Sequence, residues 1–423
     1  MIARVRLSAA VSLLAWNNEA GLPLIEEQAQ SQRFADRKEL AELLGRVPSP
    51  TGIRLLRQLV ADPFFSVKEA AIHALGRSAG HHESVGVLAD LDELLDRPNA
   101  RLQTAAANAI GAFFDTAHRN RYWPSGACKS NPCKETSPEE IAARAVSIEH
   151  LARAAREVER PLLSRFAALE ALEAIAAPNQ TTNQVAAAVF EIARADREYS
   201  GKEPYLGIRT LNLLGKLGAG DAKPQVLDWM DDWLHEIEQD YARWRKVRDS
   251  ELPKGSDAEN SGKGTPAPKA GPGPEGFYWA FELAFNRARI DPAGRGLDML
   301  RSPLADVHWG AWMGIGMEGS TELLQRVFDA WRESKEPLFR QAAYKAMNEI
   351  LVHLELVGGP KERQALQAFV PAMGQIPIAG RVGVCTRVDW TLSKLAQRDG
   401  YEYEGIPAGV CRPQGNRMKV FSV

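Results

Sequence analysis

Cysteine is scarce in this chain: four residues in 423, at Cys128, Cys133, Cys385 and Cys411. Four cysteines allow three disulfide pairings. Local pairing, Cys128 with Cys133 and Cys385 with Cys411, would suit an exported protein. Free thiols would suit a cytoplasmic one, and that is the reading adopted. Charge of either sign is also scarce in net terms, because 52 Lys and Arg stand against 54 Asp and Glu, leaving −2. No bulk basic field exists to draw in nucleic acid or an acidic membrane surface. No apolar run is long enough to span a bilayer.

The signatures of catalysis are missing as well. The chain has no HExxH and no phosphate-cradling GxxxxGK[ST]. Gly314, Gly316 and Gly319 have dinucleotide-loop spacing, but no strand precedes them. His81 and His82 read as a solvated loop pair. Cys128 and Cys133 could open a zinc site, but four ligands are needed and only His118 is near. No catalytic residue, metal or cofactor is expected.

A repeated helical phrase is what the chain does have. Its clearest copy uses Val67, Ala70, Ala71, Ala74, Leu75 and Gly76. The first five fall on one face of an α-helix, and three alanines let a neighbouring helix come close. A second copy reads Leu102, Ala105, Ala106, Ala109, Ile110 and Gly111, and a third Ser164, Ala167, Ala168, Ala171 and Leu172. The fourth, Leu206, Arg209, Thr210, Leu213, Leu214 and Gly215, is looser. The fifth is Val307, Gly310, Ala311, Gly314, Ile315 and Gly316, and the sixth Phe339, Ala342, Ala343, Ala346 and Met347. A proline precedes each copy: Pro63, Pro98, Pro161, Pro204, Pro303 and Pro337. Proline ends a preceding helix and tolerates the start of the next, so it marks the turn inside a helix pair.

These phrases resemble the HEAT-repeat family of armadillo-like helical solenoids. The resemblance rests on Asp62-Pro63, Val67-Lys68, Ala70-Ala71 and Ala74-Leu75-Gly76, with weaker echoes in the other copies. It implies an all-α fold, an α-α superhelix of stacked helix pairs. The phrase helices would be the second of each pair. First helices are expected at 38–44, 53–60, 85–95, 139–158, 182–199, 224–248, 277–289, 322–332 and 362–373. In the long one, Trp229, Trp233 and Ile237 share a face and should pack on the adjacent pair.

The array divides by composition into repeats at 1–114, 139–248 and 277–375. A Cys-containing insertion, 115–138, separates the first two. A segment rich in Gly and Pro, 249–276, is expected to be a disordered linker joining two helical blocks. Residues 376–423 form a cap or accessory tail, helical over 387–398 and otherwise irregular, with short strands expected at 401–404 and 418–421. Residues 1–16 have a faint signal-peptide pattern. They also fit the phrase at Ala9 and Ala10, and are read as a structural first helix.

In HEAT-like arrays the second helices line the concave surface, so the resemblance nominates Lys68, His73, Arg77, Asn108, Arg165, Asn212, Lys216, His308, Arg340 and Lys345 as a partner-binding ladder. The expected partner is another protein, presenting an acidic segment or a helix. The chain would then be a non-catalytic scaffold, adaptor or regulatory subunit. Two alternatives are a glycosylase-like HEAT protein, which needs a strongly positive groove, and a HEAT-like lyase resembling the phycobilin lyases, which needs a perturbed pocket carboxylate.

Overall fold

The computed structural model describes residues 2–14, 16, 18–47, 49–78, 84–122, 137–176, 182–198, 204–251, 277–374, 378–407 and 410. Among these residues all regular structure is helical: nineteen α-helices and two 3-10 turns, with no strand. The chain is an all-α, HEAT-like solenoid, divided into two compact units.

The first unit comprises 1–213 and 219–222. It holds α1 (Ile2–Leu14), α2 (Leu22–Ala29), α3 (Phe34–Leu44), α4 (Pro50–Val60), α5 (Phe65–Ser78), α6 (Ser84–Leu95), α7 (Ala100–Tyr122), α8 (Pro138–Arg156), α9 (Leu162–Ala176), α10 (Thr182–Glu198) and most of α11 (Pro204–Leu217). Two layers form. Helices α3, α5, α7 and α9 pack one on the next, while α6, α8 and α10 pack behind them. The α1 helix buries Leu7, Ala10, Val11 and Leu14 against α2 and α3, as a structural helix requires.

The second unit comprises 214–218 and 223–423. Its helices are α12 (Lys223–Glu251), α13 (Phe277–Ile290), α14 (Arg295–Met299), α15 (Ala305–Met317), α16 (Thr321–Glu333), α17 (Pro337–Val357), α18 (Pro360–Met373) and α19 (Ile378–Arg398). Here α13, α15, α17 and α19 form one layer in succession, and α16 and α18 lie behind. Trp233 packs between Trp229 and Trp279 with ring centroids 5.3 Å apart on each side, so the tryptophans of α12 serve its contact with α13.

All six phrases lie on helices, and their Ala slots are buried wherever Ala or Gly fills them. The prolines sit as expected: Pro204 and Pro337 are first helical residues, and the other four stand just before their helices. Small slots set the spacing of the layer. A Cβ on Gly76 would lie 2.2 Å from the Ala109 carbonyl oxygen, and one on Gly314 2.2 Å from that of Phe285.

Three expectations change. Residues 38–44 and 277–289, expected as first helices, belong to the phrase layer, since α3 packs on α5 and α13 on α15. They carry the same buried pattern: Arg37, Leu40, Ala41 and Leu44 on α3, then Ala280, Leu283, Ala284, Arg287 and Ala288 on α13. A buried arginine occupies one slot in each, which hides the pattern from a search for small apolar residues. Each arginine is neutralised in place. Arg37 Nε donates to Asp62 at 2.6 Å, and Arg287 Nε to Asp231 at 2.8 Å.

Second, the division between units falls within 213–223. The Gly- and Pro-rich segment instead interrupts one pair, because α12 on one side packs on α13 on the other. Residues 252–276 and the stretch 123–136, with Cys128 and Cys133, lie outside the described residues, as do His81, His82, Cys411 and the 418–421 strand.

Third, the helix expected at 387–398 begins at Ile378 and closes the phrase layer, burying Val388, Thr391, Leu392, Leu395 and Ala396. Residues 401–404 are irregular, tied down by Tyr403 Oη donating to Asp389 at 2.8 Å. Cys385 is buried and disulfide-bonded, which corrects the free-thiol reading at that position.

One polar group sits badly in this packing. Asp92 on α6 is 5% exposed. Its Oδ2 accepts from the Ser147 hydroxyl of α8 at 2.9 Å, while Oδ1 has no hydrogen-bond partner among the described residues. Burial pushes the carboxyl up to about 6, and Asp96 adds to that, against Ser147 and His150. An acid raised in the folded state stabilises the fold fully only below its unfolded value of about 3.9, and that stability is lost as pH rises through 6. Asp92→Asn is therefore expected to stabilise the first unit at pH 8 by up to about 3 kcal/mol, less the cost of the new amide N–H, and to give no gain at pH 3.5. Urea midpoints at the two pH values measure the difference.

Candidate functional site

The sequence-nominated ladder separates once its burial is known. Arg77, Asn108, Lys216 and Lys345 are exposed. Lys68, His73, Asn212, His308 and Arg340 are half-buried. Arg165 is not a surface residue: it is 1% exposed, donating through Nε to the Ala155 carbonyl at 2.7 Å and through Nη2 to Asp196 at 2.5 Å. It ties α9 to α8 and α10 and cannot meet a partner. Arg340 is engaged within the chain, its guanidinium 4.4 Å from the Trp331 ring centre. Lys345 lies over Trp312 at 5.6 Å, with its side chain still at the surface.

Two of the ten residues, His73 and Arg77, line one cavity. It has a volume of about 450 Å³ and lies between α3 and α5, with Lys38, Glu42, Arg46, Ser66, Glu69 and Ala70 completing the wall. The α3 side is Lys38 and Glu42 at i, i+4 spacing, followed by Arg46 in the turn after the helix, and the α5 side is Ser66, Glu69 or Ala70, His73 and Arg77. The two helices come this close because Gly45 lies on Ala74, where a Cβ would stand 2.7 Å from the Ala74 Cβ.

The electrostatics of the cleft are uneven. Lys38 reaches Glu42 at 3.8 Å. Arg46 and Arg77 are exposed and have no ion-pair partner among the described residues. His73 is held below its ordinary value, chiefly by burial and further by Arg77, with Glu69 opposing. It is therefore neutral near pH 7, able to donate one N–H and accept at the other nitrogen.

The α3 half of this cleft escapes the sequence pattern, which assigns 38–44 to the opposite layer. Its stripe was nonetheless readable: Phe34, Lys38, Glu42 and Arg46 recur every four residues. Among the described residues no group of three or more His, Cys, Asp or Glu side chains is placed to hold a metal ion. No helix among them is long and apolar enough to cross a membrane.

Comparison with known families matches residues 22–111 to the family described as HEAT repeats. The matched stretch runs from α2 into α7 and contains the cleft. No curated protein matches the chain.

Proposed function

We propose that this chain, whose residues 22–111 match the HEAT repeats, a unit that generally forms protein-interaction scaffolds, is a non-catalytic scaffold, adaptor or regulatory subunit binding another protein on its phrase-helix layer. The observation that supports this most is the charge left open on that layer: Arg46 and Arg77 flank a cleft and are exposed, whereas Arg37, Arg165 and Arg287 are consumed by internal carboxylates. Affinity would come from many modest contacts with a few arginine or aromatic anchors.

The reading predicts which face a partner covers. Full-length tagged protein, captured from its native host with its partner, should lose that partner when Lys68 on α5 and Asn108 on α7, both in the phrase layer of the first unit, are changed to Glu. It should keep it when Arg54, exposed on α4 in the other layer, is changed to Glu. Loss on Arg54→Glu alone, or no stoichiometric protein captured by the wild type, would overturn it.

A further inference from the structure

One turn before Lys38 on α3 and two residues before Ser66 on α5, both of which line the cleft, lies an apolar patch that the sequence did not single out. Phe34, at the start of α3, and Phe64, just before α5, stack with ring centroids 5.3 Å apart and planes 19° from parallel. Both remain open to solvent, at 45% and 48%. A stacked aromatic pair this exposed adds little to the core and presents an apolar surface to an incoming side chain. Phe34 begins the stripe that continues along α3 through Lys38 and Glu42, about 15 Å of helix to Leu44, and ends at Arg46 in the turn beyond it, about 18 Å or less from Phe34. The seam thus runs from two phenyl rings, past the Lys38–Glu42 pair and His73, to two guanidinium groups without counter-ions.

We infer that this seam is a docking groove for a short extended segment of a partner protein, one that carries a large apolar or aromatic side chain and, about five residues away, one or two carboxylates. The inference rests on the scaffold reading above and makes it specific. Charge complementarity sets the acidic end: Lys38, Arg46 and Arg77 face Glu42 and Glu69, Lys38 is already paired, and two arginines remain to take carboxylates in the bidentate fashion that suits guanidinium. Length sets the spacing, because an extended chain advances about 3.3 Å per residue and covers the groove in five or six. The cavity volume is within the range of about 300–1,000 Å³ typical of ligand sites, enough to accept side chains of such a segment.

A phage-displayed library of random heptapeptides, selected on the immobilised full chain, tests this without knowledge of the partner. Selected peptides should pair an aromatic or large apolar residue with Asp or Glu four to five positions away. Fluorescence polarisation of the tightest peptide should show at least tenfold weaker binding to the Arg46→Glu/Arg77→Glu double variant. Binding to Phe34→Ala should also weaken, and a basic counterpart peptide should not bind. Both arginines are exposed, so the double variant should melt with the wild type and carries the test if Phe34→Ala does not fold. Failure to select any peptide, or selected peptides that bind the double variant as tightly as the wild type, overturns the groove. Capture that still depends on Lys68 and Asn108 would then leave the scaffold reading standing; loss of that dependence would remove the scaffold reading itself.

Discussion

Arg165→Ala is expected to lower the stability of the first unit by about 3–5 kcal/mol, the cost of leaving a buried carboxylate without its partner. The size follows from where the side chain is: Arg165 is 1% exposed and Asp196 retains 10% of its side-chain surface, so water can do little to screen what remains. Truncation also strands the Ala155 carbonyl that Arg165 Nε satisfies at 2.7 Å. The charge, more than the volume, is the issue, and a double-mutant cycle separates them. Arg165→Met alone should be nearly as damaging as Arg165→Ala, while Arg165→Met with Asp196→Leu should recover most of the loss, since an apolar pair needs no neutralisation. Chemical denaturation of the wild type, Arg165→Met, Asp196→Leu and the double variant measures it; a double variant no better than Arg165→Met would show that Asp196 is not what Arg165 serves. Substitution here would abolish partner binding only by unfolding the unit that binds.

Gly76→Val should lower the stability of the first unit by about 3 kcal/mol or more. The obstacle is backbone: a Cβ at position 76 would sit 2.2 Å from the Ala109 carbonyl oxygen and 2.8 Å from its Cα, so α5 and α7 must separate. A helical glycine normally gains about 0.5–1 kcal/mol on replacement by Ala, so Gly76→Ala sets propensity against overpacking, and overpacking should win. Gly359→Ala provides the contrast, since its nearest neighbour is the Glu362 carboxylate at 3.5 Å, an ordinary contact. Thermal melts should place Gly359→Ala near the wild type and Gly76→Val far below it.

The repeat was legible because its packing rule is local. Wherever Ala or Gly stands three and four residues after a bulky apolar residue, the helix has one face that only another helix can cover, and that holds at Val67, Leu102, Val307 and Phe339 alike. It ceased to be legible at Arg37 and Arg287. A charged residue in a core slot reads as a surface residue until Asp62 and Asp231 are seen beside it, and those lie far along the chain. The same blindness put Arg165 on the binding surface and took α3, with Arg46, off it.

The sequence by itself determined that the repeat phrases are helical, that their helices pair, and which faces they bury, since each follows from the periodicity of side chains within one helix. Only the tertiary structure decided which arginines are free to bind. Whether a guanidinium meets water or a buried carboxylate depends on what the neighbouring helix brings opposite it, a contact between residues about 25 to 56 positions apart here that no local pattern encodes. The phenyl pair and the two unpaired arginines became one groove for the same reason: α3 and α5 had to be placed side by side before their stripes could face each other.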